Sequence, residues 1–276
     1  YSGVGAEPNS ILNENKNIQQ QHAMQSSTLI TNAKTHSNLD KSTFKTPIMI
    51  GTSNKVNKNI VLVLNNGRPL VLNWHQEHLP AIVEAWQLGT QSGNAIAQVL
   101  YGDYNPSGKL PMSFPRAVGQ IPIYYNYKNT GRPSLPAPGR VFWSHYQDVE
   151  NTPLYPFGYG LSYTTFEYSN LQARVVSDTE VNVSVTLKNS GKFTGKEVVQ
   201  LYIKDHYATV TRPVRELKGF ELVSLEPNES KEISFTLTEK ELGFYNNEGD
   251  FVLEPGDFSI FVGGDSTTKL VTKISL

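Results

Sequence analysis

The sequence predicts a chain of two architectures, an incomplete α/β layer followed by an all-β sandwich. Three observations predict it. Short, continuous apolar runs stand beside a helical pattern between Asn59 and Pro122, which suits parallel strands covered on both faces. From about residue 161 onward, apolar and polar residues alternate in short runs separated by turn signals, the pattern of half-buried strands. Ahead of both, residues 1–58 are rich in Asn, Gln, Ser, Thr and Lys without a sustained period, and such a composition buries too little apolar surface to order itself. Residues 1–58 are therefore left unassigned, as a disordered or non-native segment.

Within the α/β part, "NIVLVLN" (Asn59–Asn65) and "AIVEAWQ" (Ala81–Gln87) read as buried strands, and "LGTQSG" leads from the second into the helical "NAIAQVLYG". Ala95, Ile96, Val99 and Leu100 lie three or four apart on one face of that helix, and Gly102 occupies the place of a left-handed C-cap. Two or three strands cannot complete such a sheet, so this is a piece of an α/β sandwich. The stretch "YGDYNPSGKLPMSFP" (Tyr101–Pro115) then reads as a helix end, a turn and the entry to a strand.

A connection crowded with Tyr, Pro, Gly and Trp runs from Ile123 to Tyr163. Its length marks a functional loop or an interdomain strap, and its aromatics call for something to pack against. After it come "EVNVSVTLKN", "KEVVQLYIKD", "VRELKGFELVSL", "KEISFTLTEKEL", "DFVLEPGDFSIFVGG" and "KLVTKISL". Strands this short and closely spaced fit an immunoglobulin-like or fibronectin type III sandwich. With no Cys in the chain the fibronectin variety is favoured.

The bulk numbers exclude several functions. Lys and Arg total 24 against 25 Asp and Glu, a net charge of -1 in 276 residues, which provides no basic surface for nucleic acid. No run reaches the roughly 18 apolar residues of a membrane span. The start "YSGVGAEPNS" has neither the basic end nor the apolar middle of a signal peptide. Zero Cys removes disulfides, thiolate metal sites and a Cys nucleophile.

Several residues invite a chemical reading beside a structural one. His75 and His78 are spaced as metal ligands sometimes are, yet a solvated helix start explains them as well. The Gly89–Gly93 turn opens a helix where an anion can sit, but without the glycine spacing of a nucleotide loop a tight structural turn is the default. Glu84 interrupts an apolar strand and is either bonded to backbone or held for proton transfer. Asp103 can cap its own turn, and Asp148 and Glu150 are solvated or paired with Arg132 or Arg140. Tyr124, Tyr125, Tyr127 and Trp143 can stack on sugar rings or pack between domains.

"VLVLNNGRPL" (Val61–Leu70), "EAWQLGTQSGNAIAQVLYGDYNPSGKLPMSFP" (Glu84–Pro115), "TGRP" (Thr130–Pro133) and "PLYPFGYGLSYTTF" (Pro153–Phe166) follow one another in an order and spacing that closely resemble the C-terminal half of glycoside hydrolase family 3, in particular bacterial periplasmic β-glucosidases. "RPVRELKGFELVSLEPNESKEISFTL" and "EPGDFSIFVGGDS" resemble that family's fibronectin type III-like domain. The resemblance covers Asn59–Leu276. Gln91 and Ser92 stand where the family often has Glu and Gly, and His145 where it often has Arg.

The resemblance implies an incomplete α/β sandwich over residues 59–160, with the aromatic loop, and a fibronectin type III-like domain over 161–276. It implies a retaining β-glucosidase acting on terminal nonreducing β-D-glucosyl residues without a cofactor, through an Asp nucleophile on a (β/α)8 barrel and a Glu acid/base from the α/β sandwich. The acid/base segment of the family precedes the strand equivalent to "IVLVLN". Glu7 and Glu14 are the sole glutamates before Asn59 and neither has its setting. No catalytic, cofactor-binding or metal-binding residue is therefore assigned, and the chain is expected to be inactive without a barrel. The abrupt change at Asn59 suggests that residues 1–58 are not an evolved part of the fold. The implied partner is a β-glucoside or oligosaccharide once a barrel is joined, with a homodimer left open, and the implied location is periplasmic or extracellular. A non-catalytic carbohydrate-binding or scaffold protein and an inert gene remnant are the alternatives.

Overall fold

The computed structural model describes residues 28–31, 60–132 and 144–276. These fall into two compact units, one of residues 28–31, 60–68, 74–109 and 160–163 and one of residues 69–73, 110–132, 144–159 and 164–276.

The first unit is built on a three-stranded sheet of β1 (Thr28–Thr31), β2 (Val61–Leu64) and β3 (Ala81–Glu84), in the order β1-β3-β2. β2 and β3 are parallel, with Val61 opposite Ala81 and Leu64 opposite Glu84. β1 joins β3 on its other side antiparallel, Thr28 opposite Glu84, in a segment for which no element is read from the sequence. The central position of β3 explains why all four of its residues are buried and why it reads as a continuous apolar run.

Helix α1 (Asn73–His78) lies between the parallel strands in the chain, and Pro80 stops it. Helix α2 (Ser92–Tyr101) buries Ala95 and Val99 from the predicted face. Val99 packs with Val61, Ala81 and Val83, and with Tyr104, Leu161 and Tyr163 at the margin. The helix ends as expected on Gly102, at φ 74°. The Asp103 N–H donates to Gln98 O at 2.9 Å and the Gly102 N–H to Val99 O at 3.1 Å, the paired bonds that satisfy the last carbonyls of a helix ending on a left-handed residue.

The second unit is a β-sandwich. One sheet has the order β4-β5-β8 and the other β12-β11-β6-β7, where β4 is Phe166–Ser177, β5 Glu180–Asn189, β6 Gly195–Asp205, β7 Glu216–Leu225, β8 Ser230–Thr238, β11 Asp257–Gly263 and β12 Val271–Ser275. β9 (Phe244–Tyr245) and β10 (Phe251–Val252) form a separate antiparallel pair. Alternate residues point inward, as the pleat requires. Val181, Val183, Val185 and Leu187 of β5 meet Val199, Leu201 and Ile203 of β6 and Phe258, Ile260 and Val262 of β11.

Two polar side chains are sealed into this unit. Asn189 is fully buried and completely satisfied. Its Oδ1 accepts from Thr164 Oγ1 at 2.6 Å and the Gly191 N–H at 3.1 Å, while its Nδ2 donates to Phe193 O at 2.8 Å and Leu225 O at 3.0 Å. Gln200 donates to Gly158 O at 3.0 Å and Gly264 O at 2.6 Å, and accepts from the Tyr202 hydroxyl at 2.5 Å. Gly158 sits at φ 81°, and a Cβ there would lie 2.1 Å from Gln200 Oε1, so the glycine of "PFGYG" is required by both conformation and space.

Two strand readings change. No strand is read from the sequence over 166–177, yet β4 is there; Asn170 at φ 53° and two register shifts against β5 break its alternation. The "EKEL" at the end of "KEISFTLTEKEL" is not strand but a short helix, α3 (Glu239–Leu242). Its cap is legible in "TEKE": Glu241 Oε2 accepts from the Thr238 N–H at 2.9 Å and Thr238 Oγ1 accepts from the Lys240 N–H at 3.3 Å.

Candidate functional site

The motifs separated in sequence are clasped together in pairs. In the first unit, Asn105 Oδ1 accepts from Ser162 Oγ and the Tyr163 N–H, both at 2.8 Å, and Lys109 Nζ donates to Gly160 O at 2.8 Å. The Tyr163 hydroxyl donates to Val99 O at 2.5 Å, at the end of α2. In the second unit, the Leu110 N–H bonds Tyr159 O and the Gly158 N–H bonds Leu110 O, each at 2.8 Å. The Phe114 N–H then bonds Tyr155 O and the Leu154 N–H bonds Phe114 O, again at 2.8 Å. The turn-rich run 101–115 and the "PLYPFGYGLSY" run are thus complementary halves, and Asn105, read from sequence only as a turn former, is the residue that joins two of them.

The described part of the aromatic connection belongs with the sandwich unit as far as Tyr159, and Gly160–Tyr163 belong with the first unit. Tyr125 stacks on Phe157 at 4.2 Å, meets Tyr202 edge-on at 5.9 Å, and accepts from the Leu217 N–H at 3.1 Å. Tyr124 and Tyr127 are 63 % and 54 % exposed. The structure therefore separates the candidate stacking residues: Tyr125 is a packing residue, and Tyr124 and Tyr127 offer their rings to solvent. Trp143 lies outside the described residues.

These tyrosines line a cleft of about 660 Å³ in the second unit. Gln120, 3 % exposed, builds one wall. It accepts from the Arg116 N–H at 2.6 Å and donates to Glu150 O at 2.7 Å. Arg116 itself pairs with Glu150 at 3.1 Å and donates to Thr152 O at 3.0 Å. Arg116 is a partner the sequence did not suggest for Glu150, whose side chain is nonetheless 72 % exposed, in keeping with the solvated alternative; Arg140 lies outside the described residues. Lys128, Arg132, Arg215 and Lys269 line the cleft, and no carboxylate does among the described residues. Arg215 is held rigidly, its guanidinium 3.9 Å over the Phe261 ring and donating to Thr268 O at 3.2 Å and to Ser266 O. Such a lining can stack and hydrogen-bond a ligand, but it lacks the acid and base carboxylates of glycoside hydrolysis. Sequence reasoning missed Gln120 and Arg215, because a buried amide and an arginine held on a ring leave no periodic trace.

The remaining candidates are dispersed. His78 Nδ1 lies 2.7 Å from Trp74 O and its ring stacks on Trp74 at 4.5 Å, with His75 edge-on to the same indole at 5.4 Å. Among the described residues no group of three His, Cys, Asp or Glu side chains could hold a metal ion. The Gly89–Gln91 turn is a single 3₁₀ turn leading into α2, and Asn94 Nδ2 donates to Gln91 Oε1 at 2.7 Å there. Asp103 and Asp148 are exposed. Glu84 alone is buried without any exposure; Oε1 accepts from the Trp86 N–H at 2.9 Å, and burial pushes its carboxyl up to about 7.

Residues 13–163 match the glycosyl hydrolase family 3 C-terminal domain, and residues 197–266 match the fibronectin type III-like domain. The chain belongs to glycoside hydrolase family 3. The match begins at residue 13, ahead of the compositional change at Asn59. A periplasmic β-glucosidase of Salmonella typhimurium is 51 % identical over 212 residues, which is 76 % of this chain and 28 % of that protein. A β-xylosidase of Formosa agariphila is 42 % identical over 231 residues, 83 % of this chain and 31 % of the relative. A crystal structure of the Listeria innocua β-glucosidase in complex with isofagomine superposes with a TM-score of 0.76 at 44 % identity, covering 80 % of this chain and 31 % of that one. The family 3 chain thus spans less than a third of the length of these relatives and corresponds to their C-terminal part.

Proposed function

We propose that this chain is the C-terminal portion of a retaining β-glucosidase, acting on terminal β-D-glucosyl residues together with a barrel domain that carries the nucleophile. The observation that supports this most is the family match over residues 13–163, with relatives named as β-glucosidases and a β-xylosidase. In this reading a barrel Asp attacks the anomeric carbon. A Glu first protonates the leaving oxygen and then takes a proton from the water that releases the sugar. Neither carboxylate is assigned to a described residue of this chain. The periplasm is the proposed location, after the Salmonella relative.

The test is release of p-nitrophenol from an aryl β-glucoside. The 276-residue chain alone is expected to give no more than a matched blank, and fusion to a family 3 barrel is expected to give turnover. Turnover by the chain alone would overturn the assignment of chemistry to the barrel, and an inactive, folded fusion would overturn the glucosidase reading. The solvent-facing rings of Tyr124 and Tyr127 on the cleft favour a second reading, a carbohydrate-binding module without catalysis. Saturable heat on titration with cellobiose, without turnover by the fusion, supports that one.

A further inference from the structure

The cleft of the second unit is one-sided in charge. Among the described residues its lining carries Lys128, Arg132, Arg215 and Lys269 and no acid. In the whole chain acids and bases are balanced, 25 against 24, so a lining without preference would mix the signs. Glu150, Glu216 and Asp265 are next in sequence to lining residues, yet each is turned to another partner. Glu150 pairs with Arg116 at 3.1 Å and Glu216 with Arg212 at 2.7 Å, while Asp265 Oδ1 accepts from the Thr267 N–H and hydroxyl, each at 2.7 Å.

Arg215 ties the basic segments together. The Val214 N–H donates to Tyr127 O at 2.9 Å, and Lys128 faces Pro213 in an antiparallel bridge. The Arg215 guanidinium donates to Ser266 O and to Thr268 O, the carbonyl that precedes Lys269. Lys128 and Lys269 are thus carried by segments fastened to the same arginine segment. The guanidinium is held by these carbonyls and by the rings of Phe261 and Tyr202, and Asp265 is the one carboxylate among the groups that influence it. Burial lowers its pKa, the direction expected of a cation short of counter-charge. We propose that this cleft binds a saccharide bearing a carboxylate, a hexuronate, with its sugar ring on the exposed rings of Tyr124 and Tyr127 and its carboxylate turned to Lys128, Arg215 and Lys269. A neutral glucoside brings no counter-charge to this lining, whereas a carboxylate takes charge-assisted hydrogen bonds from it. The inference names a ligand class for the carbohydrate-binding reading of the cleft and rests on that reading.

The test titrates the intact 276-residue chain with cellobiose and with cellobiouronic acid, whose nonreducing ring carries a carboxylate in place of the hydroxymethyl group. The uronate is expected to bind about tenfold more tightly at low ionic strength, the worth of one hydrogen bond to a charged group, and salt should shrink the preference by screening. Lys128→Gln combined with Lys269→Gln, both at exposed positions, is expected to bring the two affinities to within about threefold. Hydrogen exchange should show protection by the uronate in peptides covering 122–132 and 264–270. Equal affinity for the two sugars would overturn this inference and leave the carbohydrate-binding reading standing, whereas no binding of either would overturn both. Competition by acetate as strong as by the uronate would overturn the saccharide, and a preference that survives the double substitution would overturn the cleft as its site. Should the double variant fail to fold, the wild-type preference and the location of the protected peptides still decide.

Discussion

The two units of this chain solve the same burial problem with unequal means. In the sandwich, both sheets turn apolar faces inward and close on one another, with large side chains such as Phe258, Leu201 and Ile203 fully sealed. In the α/β unit Val61, Ala81, Val83 and Val99 form one buried cluster, and Ile82 and Ala85 of the same run are sealed as well. The polar groups differ too. The buried amide of Asn189 in the sandwich uses its full hydrogen-bonding capacity, while Glu84 and Asn66 in the α/β unit leave oxygen atoms unsatisfied. A buried amide with every partner in place fixes one conformation, whereas a buried carboxyl with an unbonded oxygen makes the unit that holds it sensitive to pH.

The comparison can be broken most directly at the sandwich core. Phe258→Ala removes an aromatic side chain that is 1 % exposed, and the sandwich should lose about 4 kcal/mol. Hydrogen-exchange mass spectrometry, which reads the two units through separate peptides, should show increased exchange across β6 and β11 first.

Gly158→Val comes next. The new side chain must adopt φ 81° and displace Gln200, at a cost of about 3 kcal/mol in urea denaturation from backbone strain and broken hydrogen bonds. The same substitution at the exposed Gly119, with nothing within 4 Å of its Cβ position, should cost well under that.

pH sharpens the contrast. Glu84 binds its proton more tightly in the folded state, from an ordinary value of 4.5 to about 7. Its contribution is complete below the unfolded value and lost as pH rises through the folded one, so the α/β unit should weaken by about 3 kcal/mol between those limits. The sandwich should not follow this curve, and Glu84→Gln should flatten it. The smallest effect is expected on the sandwich surface, where Lys231 and Glu221 are 3.9 Å apart and both well exposed. Lys231→Ala should leave the urea midpoint unchanged to within about 0.5 kcal/mol.

Legibility in the sequence followed the same division. β5 matches the run "EVNVSVTLKN" from end to end, because a strand with one buried face must alternate. β3 is legible as a buried strand for the opposite reason, being covered on both sides. β4 escaped because Asn170 turns its chain to a positive φ and shifts the register, so the local pattern ceases to report which face is buried. α3 escaped although "TEKE" carries its capping signal, since four residues are too few to establish a helical period. At the site, the exposed tyrosines were legible as candidates by residue type, but the sequence could not sort Tyr124 and Tyr127 from Tyr125.

By itself the sequence determined the fold class, the order of its two architectures, the Gly102 helix end and the family, because these rest on local periodicity, turn chemistry and motifs in fixed order. Only the tertiary structure decided which partners those motifs have. Asn105 meets Ser162 across 57 positions, Gln120 meets Glu150 across 30, and Gln200 meets Gly158 across 42. Hydrogen bonds between such distant residues depend on where the chain returns in space, and no local pattern encodes that return. Glu84 belongs to the same class: its place in an apolar strand was visible in the sequence, but its complete burial exists only once β3 lies between β1 and β2.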